Sequence, residues 1–176
     1  EYTVRPGTID SGKPYEIKTT ALLSLKCCLK NLEQFWIASN MNECGDFDDV
    51  VLFKKERKKK GVTYLIQLKH QDTPAQITRK DILEGKRHKE FYLIKYLDSC
   101  AKLSDTIANQ NTQQSEVIDH FKNNPAITYI IFTNRNVAEE LEFLDPIRSS
   151  SDLVNINGNV YKFKLEELNA FTATDS

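Results

Sequence analysis

The stretch Phe47–His70 reads FDDVVLFKKERKKKGVTYLIQLKH, and its pattern sets the architecture expected of the chain. Residues 47–53 and 62–68 are apolar, β-branched runs, and a dense basic segment separates them. Two such runs around a turn predict a pair of antiparallel strands. Two acidic residues open the first run, and Gln67 and Lys69 close the second. Polar side chains are therefore expected to cluster at one end of this hairpin.

The composition is that of an ordinary globular protein. Of its 176 residues, 40% are hydrophobic and 28% are charged, which suits one domain with a real core. The net charge is −1, so any affinity for nucleic acid must come from local patches rather than from the overall field. The apolar runs are far shorter than a bilayer span, and we expect no contact with a membrane. We expect a single domain over residues 1–176 that is a fragment of a larger multidomain protein.

The cysteines favour a reducing environment. Cys27 and Cys28 are adjacent, Cys44 and Cys100 stand alone, and no CxxC pair occurs. The spacing indicates neither a zinc site nor a disulfide framework, so we expect four reduced thiols, with Cys28 on the buried side of a helix. No N-x-S/T sequon is present either. We therefore expect an intracellular protein, in the cytoplasm or the nucleus.

Residues 15–39 carry the clearest helical pattern in the chain. Apolar residues recur there at steps of three and four, at Ile17, Ala21, Leu22, Leu25, Cys28, Leu29, Leu32, Phe35 and Trp36. This spacing predicts one long amphipathic helix with these residues on its buried side. Tyr15 and Trp36 are expected to pack in the core.

The middle of the chain predicts further helices. Residues 78–103 predict one long helix, whose buried side is marked by Ile82, Leu83, Phe91, Ile94, Leu97 and Leu103. Residues 104–115 are polar and are expected to form a loop. Residues 116–123 predict a short helix.

The C-terminal part predicts more strands. Residues 126–133 form the most hydrophobic strand pattern, which we place at the centre of the sheet. After a turn at Asn134 and Asn136, residues 137–145 predict a brief acidic helix. Residues 149–159 are expected to form a loop, and residues 160–164 a last strand. The order of elements predicts an α/β domain with one central mixed sheet flanked by helices.

Gln67 and Lys69 lie two positions apart on a predicted strand, so their side chains leave the same face. A lysine on a face that helices cover is costly to bury unless a negative group meets it. Asp48 and Asp49 face opposite sides, so only one of them can join Lys69. Asp49 leads directly into the apolar run and is our choice, and Asp48 then points away or caps the loop. A buried Asp–Lys ion pair with a purely structural role remains an alternative.

A metal site needs a further oxygen donor. Mg²⁺ binds oxygens and keeps several waters, so one or two carboxylates plus a carbonyl oxygen suffice. Glu16 lies at the start of the first helix and can approach the open end of the sheet. The favourable interaction of an acidic residue with the helix dipole is an alternative explanation for Glu16. Gln67 offers a neutral carbonyl oxygen where a glutamate would add a charge.

The order of these residues resembles a known signature. Asp49 on one strand and Gln67-x-Lys69 on the next resemble the split motif of the PD-(D/E)xK, or restriction-endonuclease-like, nucleases. GKPYE at Gly12–Glu16 resembles the G-x-x-(F/Y)-E helix start of the branch with methylated-DNA restriction enzymes and bacterial anti-phage effector nucleases. The Q-x-K variant is common in that branch. The resemblance covers about residues 10 to 135, and the order of the motifs is more specific than any one of them.

The resemblance implies a restriction-endonuclease-like fold and a metal-dependent DNA endonuclease. Such an enzyme hydrolyses phosphodiester bonds, here expected in double-stranded DNA, as an effector domain of a larger protein. The family core has a strand before the one that carries the aspartate. No strand is clear between Asn40 and Phe47, so it is either absent or supplied by EYTVR at residues 1–5.

The resemblance also implies roles for the individual residues. Asp49, Glu16 and the Gln67 carbonyl would hold one or two Mg²⁺ or Mn²⁺ ions, and the metal would activate a water and offset charge on the scissile phosphate. Lys69 would position or deprotonate that water and stabilise the negative charge of the transition state. His70 follows Lys69 on the opposite face and is expected to be structural.

Two basic segments are expected to contact phosphates. They are the turn with Lys58, Lys59 and Lys60 and the later segment with Lys86 and Arg87. The alternative is a solvated hairpin tip and helix face, which is the commoner meaning of such charge runs.

The expected partners are DNA, the other domains of the parent chain and further copies in a homo-oligomer, and RNA would use the same site. The alternative function is a catalytically silent, nuclease-derived module that binds nucleic acid or protein. The near-neutral charge and the Gln in place of Glu favour that alternative.

Overall fold

The computed structural model describes residues 12–84, 86–109, 115–138, 141–147 and 159–164. The elements in these residues, in chain order, are α1 (Gly12–Leu29), β1 (Gln34–Ala38), a 3₁₀ helix (Asn42–Phe47), β2 (Val50–Lys55), β3 (Val62–Lys69), α2 (Arg79–Leu83), α3 (Leu93–Ala108), α4 (Glu116–Asn123), β4 (Ile127–Thr133), β5 (Leu144–Ile147) and β6 (Val160–Phe163). None of the helices in this part of the chain combines the length and apolar character that a bilayer crossing requires.

The main sheet has four strands in the order β1-β2-β3-β4. β1, β2 and β3 are antiparallel to one another, and β4 runs parallel to β3. β5 and β6 form a separate antiparallel pair. The predicted α/β class with a mixed sheet is therefore confirmed, as are the β2–β3 hairpin, the short helix α4 and the last strand β6.

The two faces of the sheet carry different clusters of core residues. On one face, α1 packs through Leu23 and Cys27 against even-numbered residues of β2 and β3 such as Ile66. On the other face, the 3₁₀ helix, α3 and α4 cover odd-numbered residues such as Val51 and Leu65. Strand alternation therefore directs Gln67 and Lys69 toward the face that α3 covers, as predicted.

The first predicted helix is too long. α1 ends at Leu29, and Gln34–Ala38 form β1, in which Trp36 pairs with Phe53 of β2 and stacks on its ring. Aromatic and β-branched residues suit a pleated, half-covered surface, and cross-strand pairing here outweighs the helical spacing. A strand therefore precedes the aspartate in the chain, but it lies at Gln34–Ala38 and not between Asn40 and Phe47. Residues 1–5, the other proposed source of that strand, lie outside the described residues.

The predicted buried side of α1 is wrong. Leu23 and Cys27 are buried, whereas Ile17 is 67% exposed, Leu25 is 62% exposed and Leu29 is 86% exposed. Cys28 is exposed, contrary to expectation. Apolar residues occupy much of the circumference of this helix, so their spacing cannot select which side meets the sheet.

The predicted helix over residues 78–103 is two helices. α2 ends at Leu83, and α3 begins at Leu93 and continues to Ala108, into the segment predicted to be a loop. The segment before α3 is charged and lacks apolar residues at helical spacing to hold it against the sheet. Ile107, by contrast, packs against the buried cluster under α3, which extends that helix.

Two predictions in the C-terminal part are also wrong. β4 is an edge strand among the described residues rather than the central strand. It is hydrophobic because both of its faces are covered: Ile130 packs on the α1 side and Tyr129 on the α3 side. Residues 137–145 do not form a helix where they are described, because Leu141 and Phe143 alternate into a third core cluster and lead into β5. Of the predicted loop at 149–159, all but the last residue lies outside the described part.

Candidate functional site

Asp49 and Gln67 meet at the open end of the β2–β3 hairpin. Val50 pairs with Ile66, so one further step of the register places Asp49 across from Gln67. Directly opposed residues project from the same face of a sheet. The Gln67 side-chain Nε2 donates to Asp49 Oδ2, and the Leu68 backbone N–H donates to the same oxygen at 2.6 Å. The hairpin itself therefore fixes the carboxylate of Asp49.

The orientation of the Gln67 amide differs from the expectation. Its nitrogen faces Asp49, so its carbonyl oxygen is turned away from that carboxylate. The hydrogen bond decides this orientation, because an amide N–H is attracted to a carboxylate and an amide oxygen is repelled by it. Gln67 thus joins Asp49 as predicted, but as a hydrogen-bond donor rather than as an oxygen ligand.

Glu16 reaches the same end of the sheet from α1. Its Oε1 accepts a hydrogen bond from Asn40 Nδ2 at 3.2 Å. Burial raises the pKa of Glu16, and the negative charge of Asp49 raises it further. The two carboxylates are therefore close enough to repel each other, as the sequence predicts for a shared site.

Asn40 is a site residue that the sequence analysis missed. Its backbone φ is 56°, in the left-handed region that asparagine tolerates better than most residues. In this conformation its N–H donates to Asp48 O at 2.7 Å while its side chain holds Glu16. Asn40 thereby ties the start of α1 to the segment that leads into β2.

Asp48 belongs to the acidic cluster as well. It follows the 3₁₀ helix directly, and burial raises its pKa, as does the charge of Asp49. The positive charge of Lys69 acts in the opposite direction. Asp48 therefore does not simply point away. The register and the bond to Gln67 nonetheless make Asp49 the residue that shares the strand face with Gln67 and Lys69.

Lys69 has no ion-pair partner in the described part of the chain. No described carboxylate lies within 4.0 Å of its Nζ, although the positive charge of Lys69 acts to lower the pKa of Asp48. The structural alternative, a buried Asp49–Lys69 ion pair, is therefore not formed. The half-buried ammonium of Lys69 stands beside an acidic cluster without being bound to it.

The donor chemistry of the cluster fits a hard divalent cation. Among the described residues, no three acidic, histidine or cysteine side chains stand at a spacing that could hold a metal ion. The expected set is smaller, two carboxylates and one amide oxygen, because Mg²⁺ keeps several waters. The raised pKa values of Glu16 and Asp48 reflect burial and uncompensated negative charge, which a cation would relieve. If the Gln67 amide rotated so that its oxygen faced the carboxylates, it would supply the third oxygen ligand.

The segment before Asp48 is anchored to α3. Ser99 Oγ donates to Asp46 Oδ2 at 2.8 Å, and the Asp46 backbone N–H donates to Ser99 Oγ at 3.2 Å. Gly45 has a φ of 60°, and a Cβ there would lie 3.0 Å from Ser99 Oγ. Glycine is required because both the left-handed backbone and the close approach exclude a side chain.

The segment after Lys69 is anchored to the end of β4. Asn134 accepts from the Gln71 backbone N–H at 3.1 Å and donates to Gln71 O at 2.8 Å. Arg135 donates to the backbone oxygens of Ala75 and Gln76 at 2.6 and 2.8 Å. These bonds hold the chain beyond Lys69 against the neighbouring parallel strand. The expected turn at Asn134 therefore has a specific role in supporting the site.

His70 lies on the opposite face from Lys69. Its ring packs edge-on against Tyr15, with the ring centroids 4.5 Å apart. Its Nδ1 is buried and has no hydrogen-bond partner among the described residues. This packing agrees with the structural role expected of His70, and Tyr15 packs against the core on the α1 side, as predicted.

The predicted phosphate-binding residues fall at two different places. Lys58, Lys59 and Lys60 lie at the hairpin tip, and Lys60 is about 23 Å from Gln67 at 3.3 Å per strand residue. Arg87 lies at the site end, where its Nη1 is 3.1 Å from Asp98 and its Nη2 is 3.9 Å from Asp46. The structure brings Arg87 near the acidic cluster and leaves the lysines of the turn far from it.

Lys95 is a further charged residue near the site that the sequence analysis missed. It is only 8% exposed, and its Nζ lies 4.7 Å from the centroid of the Tyr96 ring. Burial lowers its pKa, and the positive charge of Lys69 lowers it further. Nothing in the local sequence distinguishes Lys95 from a lysine on a solvated helix face.

Comparison with known proteins adds no relative. No protein-family model, no curated protein and no solved structure matches this chain. The resemblance to nucleases thus stays a prediction from short motifs.

Proposed function

We propose that this domain is a metal-dependent endonuclease of the restriction-endonuclease-like type that hydrolyses phosphodiester bonds in double-stranded DNA. The observation that carries the proposal is the convergence of Glu16, Asp49 and Gln67, from a helix and two strands, beside Lys69. Asp48 adds negative charge to the same cluster.

The topology supports the proposal independently of the site residues. β1 supplies the strand expected before the one that carries Asp49, and it pairs antiparallel to β2. The hairpin then carries the aspartate and the Q-x-K sequence on neighbouring strands. These features agree with the order of elements that the family resemblance implies.

The proposed metal is Mg²⁺ or Mn²⁺, and the residues that would hold it are Glu16, Asp49 and the oxygen of Gln67. A bound divalent ion would lower the pKa of a coordinated water and offset charge on the phosphate. The chain itself contributes a fixed carboxylate, because Asp49 is held by the Leu68 N–H whichever way the Gln67 amide points.

Lys69 is proposed as the catalytic cation. Because no described carboxylate neutralises it, its ammonium is available to orient the attacking water and to donate hydrogen bonds to the phosphate oxygens. Donors placed in advance at a site of developing charge stabilise the transition state more than the ground state. Lys69 should therefore affect the rate of cleavage far more than the affinity for DNA.

The test is cleavage of supercoiled plasmid DNA with and without Mg²⁺. The wild type should cut the plasmid with Mg²⁺ or Mn²⁺ and lose activity with EDTA. Lys69→Ala should lower the rate about 10²–10³-fold while DNA binding persists. Lys162→Ala, a change at an exposed lysine of β6, is the matched control. Near-normal cleavage by Lys69→Ala would remove Lys69 from the mechanism.

A catalytically silent module is the second candidate, and the orientation of Gln67 favours it. The amide donates to Asp49, so the two groups satisfy each other as they stand. A site that binds DNA but cuts nothing with any divalent metal would identify this function. In either case we propose an intracellular location, in the cytoplasm or nucleus, and control by self-association. RNA would be cut by the same groups.

A further inference from the structure

The outward side of α1 carries an apolar surface that is exposed in the described part of the chain. Leu25 at its centre is 62% exposed, and Leu22 and Leu29 on either side of it are 38% and 86% exposed. Ala21 and Cys28 lie on the same side and are exposed as well. We name these five residues the α1 outer patch. Single exposed leucines are common on protein surfaces, but a contiguous apolar patch marks an interaction site.

Helix geometry groups these five residues together. Positions three and four apart are neighbours on a helix surface, and the other four residues of the patch are all three or four positions from Leu25. Lys26 is the only charged residue between Ala21 and Leu29. It follows Leu25 directly, so it lies about 100° further round the helix, at the edge of the patch. The centre of the patch therefore has no charge by which a charged partner could be selected.

The size of the patch suits a second copy of the chain. An apolar patch of this kind exposes on the order of 500 Å². Covering it on two chains at once would bury about 1,000 Å² in total, which is the lower limit for a specific protein–protein interface. A second copy supplies an apolar surface of the same size and the same character.

The patch is also symmetric about Leu25. Ala21 and Leu22 precede Leu25 by one helical turn, and Cys28 and Leu29 follow it by one turn. Two antiparallel copies can therefore pack with Leu25 at the two-fold axis. The residues before the axis in one copy then lie beside the residues after it in the other. A two-fold contact requires a surface that is complementary to itself, and this arrangement provides one.

We propose that the protein forms a dimer in which two copies of α1 pack antiparallel through the α1 outer patch. Glu16 precedes Leu25 by nine positions, or two and a half turns, so it lies on the opposite side of α1. Both acidic clusters therefore stay open, at opposite ends of the helix pair. The interface gives a surface to the proposed self-association and does not depend on cleavage at the site. An interface of this area is weak, with a dissociation constant of about 1–100 µM.

The experiment is sedimentation velocity of the whole chain at about 1 to about 200 µM protein, without DNA or metal. The wild type should shift from monomer to dimer over this range. Leu25→Lys should stay monomeric, because two like charges that meet at the axis weaken association by at least about a hundredfold. Leu25→Glu should stay monomeric for the same reason. Ile147→Lys, at a 40% exposed position of β5, is the matched control and should form dimers as the wild type does.

A mixture of the two variants tests the antiparallel packing itself. Position 25 of one copy faces position 25 of the other, so Leu25→Lys and Leu25→Glu should associate with each other although neither associates with itself. Opposite charges meet at the axis only in the mixed dimer. Absence of the mixed dimer overturns the proposed packing.

Two further outcomes overturn the proposal. One is a wild type that stays monomeric up to about 200 µM, even where a different protein binds the patch. The other is a dimer that persists in Leu25→Lys. Leu25 contacts solvent in the monomer, so its replacement changes association and not the stability of the single chain. Thermal unfolding of the dilute variants checks this, and if Leu25→Lys does not fold, Leu29→Lys is judged by the same measurement.

The result is separable from the nuclease proposal. A dimer that cuts no DNA keeps this interface and loses only the nuclease assignment. A monomer that cuts DNA keeps the nuclease assignment and loses only this interface.

Discussion

The side-chain nitrogen of Gln67, and not its oxygen, faces the carboxylate of Asp49. This relationship means that Asp49 finds hydrogen-bond donors within the hairpin, whereas Glu16 and Asp48 keep the negative charge that, with burial, raises their pKa values. A divalent ion at Asp49 would favour the opposite orientation, because the amide oxygen would then have a positive charge to face. Replacing the Gln67 amide therefore distinguishes two hypotheses. In one, Asp49 and Gln67 bind a metal ion; in the other, they only form a hydrogen bond with each other.

Replacing Gln67 by Glu should make the stability of the protein depend on metal. The new carboxylate would lie against Asp49, and this repulsion should cost about 1–3 kcal/mol of unfolding free energy in EDTA. Mg²⁺ should recover much of that loss and should bind more tightly than to the wild type. Chemical denaturation with EDTA and with Mg²⁺ measures both effects.

Gln34→Glu, at an exposed position of β1, is the matched control and should show no such dependence. If Gln67→Glu is equally unstable with and without Mg²⁺, the cluster does not bind this metal.

Two leucines of α1 should respond very differently to truncation. Leu23 is buried and Leu25 is 62% exposed, although both lie in one apolar helix. Leu23→Ala should cost about 2–5 kcal/mol of unfolding free energy, whereas Leu25→Ala should stay within about 0.5 kcal/mol. Urea denaturation of the two variants measures the difference. The reverse order would mean that α1 packs through the side indicated by its sequence pattern.

Gly61 should not tolerate alanine. A Cβ at this position would lie 2.6 Å from Phe53 Cζ and 3.0 Å from Asn124 Oδ1. The Phe53 ring is buried between Trp36 and His120 and cannot move aside. The substitution should therefore cost about 1–3 kcal/mol through overpacking, measured by denaturant unfolding. Lys60→Ala, at the exposed neighbouring position, should be nearly neutral, and equal effects of the two changes would contradict this packing.

The stability of the protein should fall in mild acid because of His120. Burial among aromatic rings lowers the pKa of His120 below its ordinary value of 6.5, and its Nε2 has no partner in the described residues. Below pH 6.5 the unfolded chain therefore binds a proton that the folded chain excludes, so stability is lost as the pH falls. One such group changes the unfolding free energy by at most about 1.36 kcal/mol per pH unit.

The difference between wild type and His120→Phe isolates this effect. Phenylalanine fits the aromatic surroundings and does not titrate, so its advantage over the wild type should grow as the pH is lowered from about 7.5 to about 5.5. Unfolding free energies at several pH values measure it. A difference that stays constant over this range would show that His120 binds a proton as readily in the folded protein as in the unfolded chain.

Much of the candidate site was predictable because it depends on local periodicity. The two-residue repeat of a strand directs Gln67 and Lys69 to one face regardless of what surrounds them. The runs on either side of the basic segment likewise predict the hairpin, and the register of a hairpin brings Asp49 opposite Gln67. The residues with side chains that could bind a cation or a phosphate can be identified from the sequence alone.

The remaining features depend on contacts between residues far apart in the chain. Gln34–Ala38 form a strand because β2 pairs with them, and α1 turns Leu23 inward because the sheet meets that side. Lys95 is buried although its local sequence is that of a solvated helix face. The sequence by itself determined which side chains could act, since composition and strand period are local. Only the tertiary structure decided which of them meet and which way the Gln67 amide points, because charge and burial at each position are set by distant neighbours.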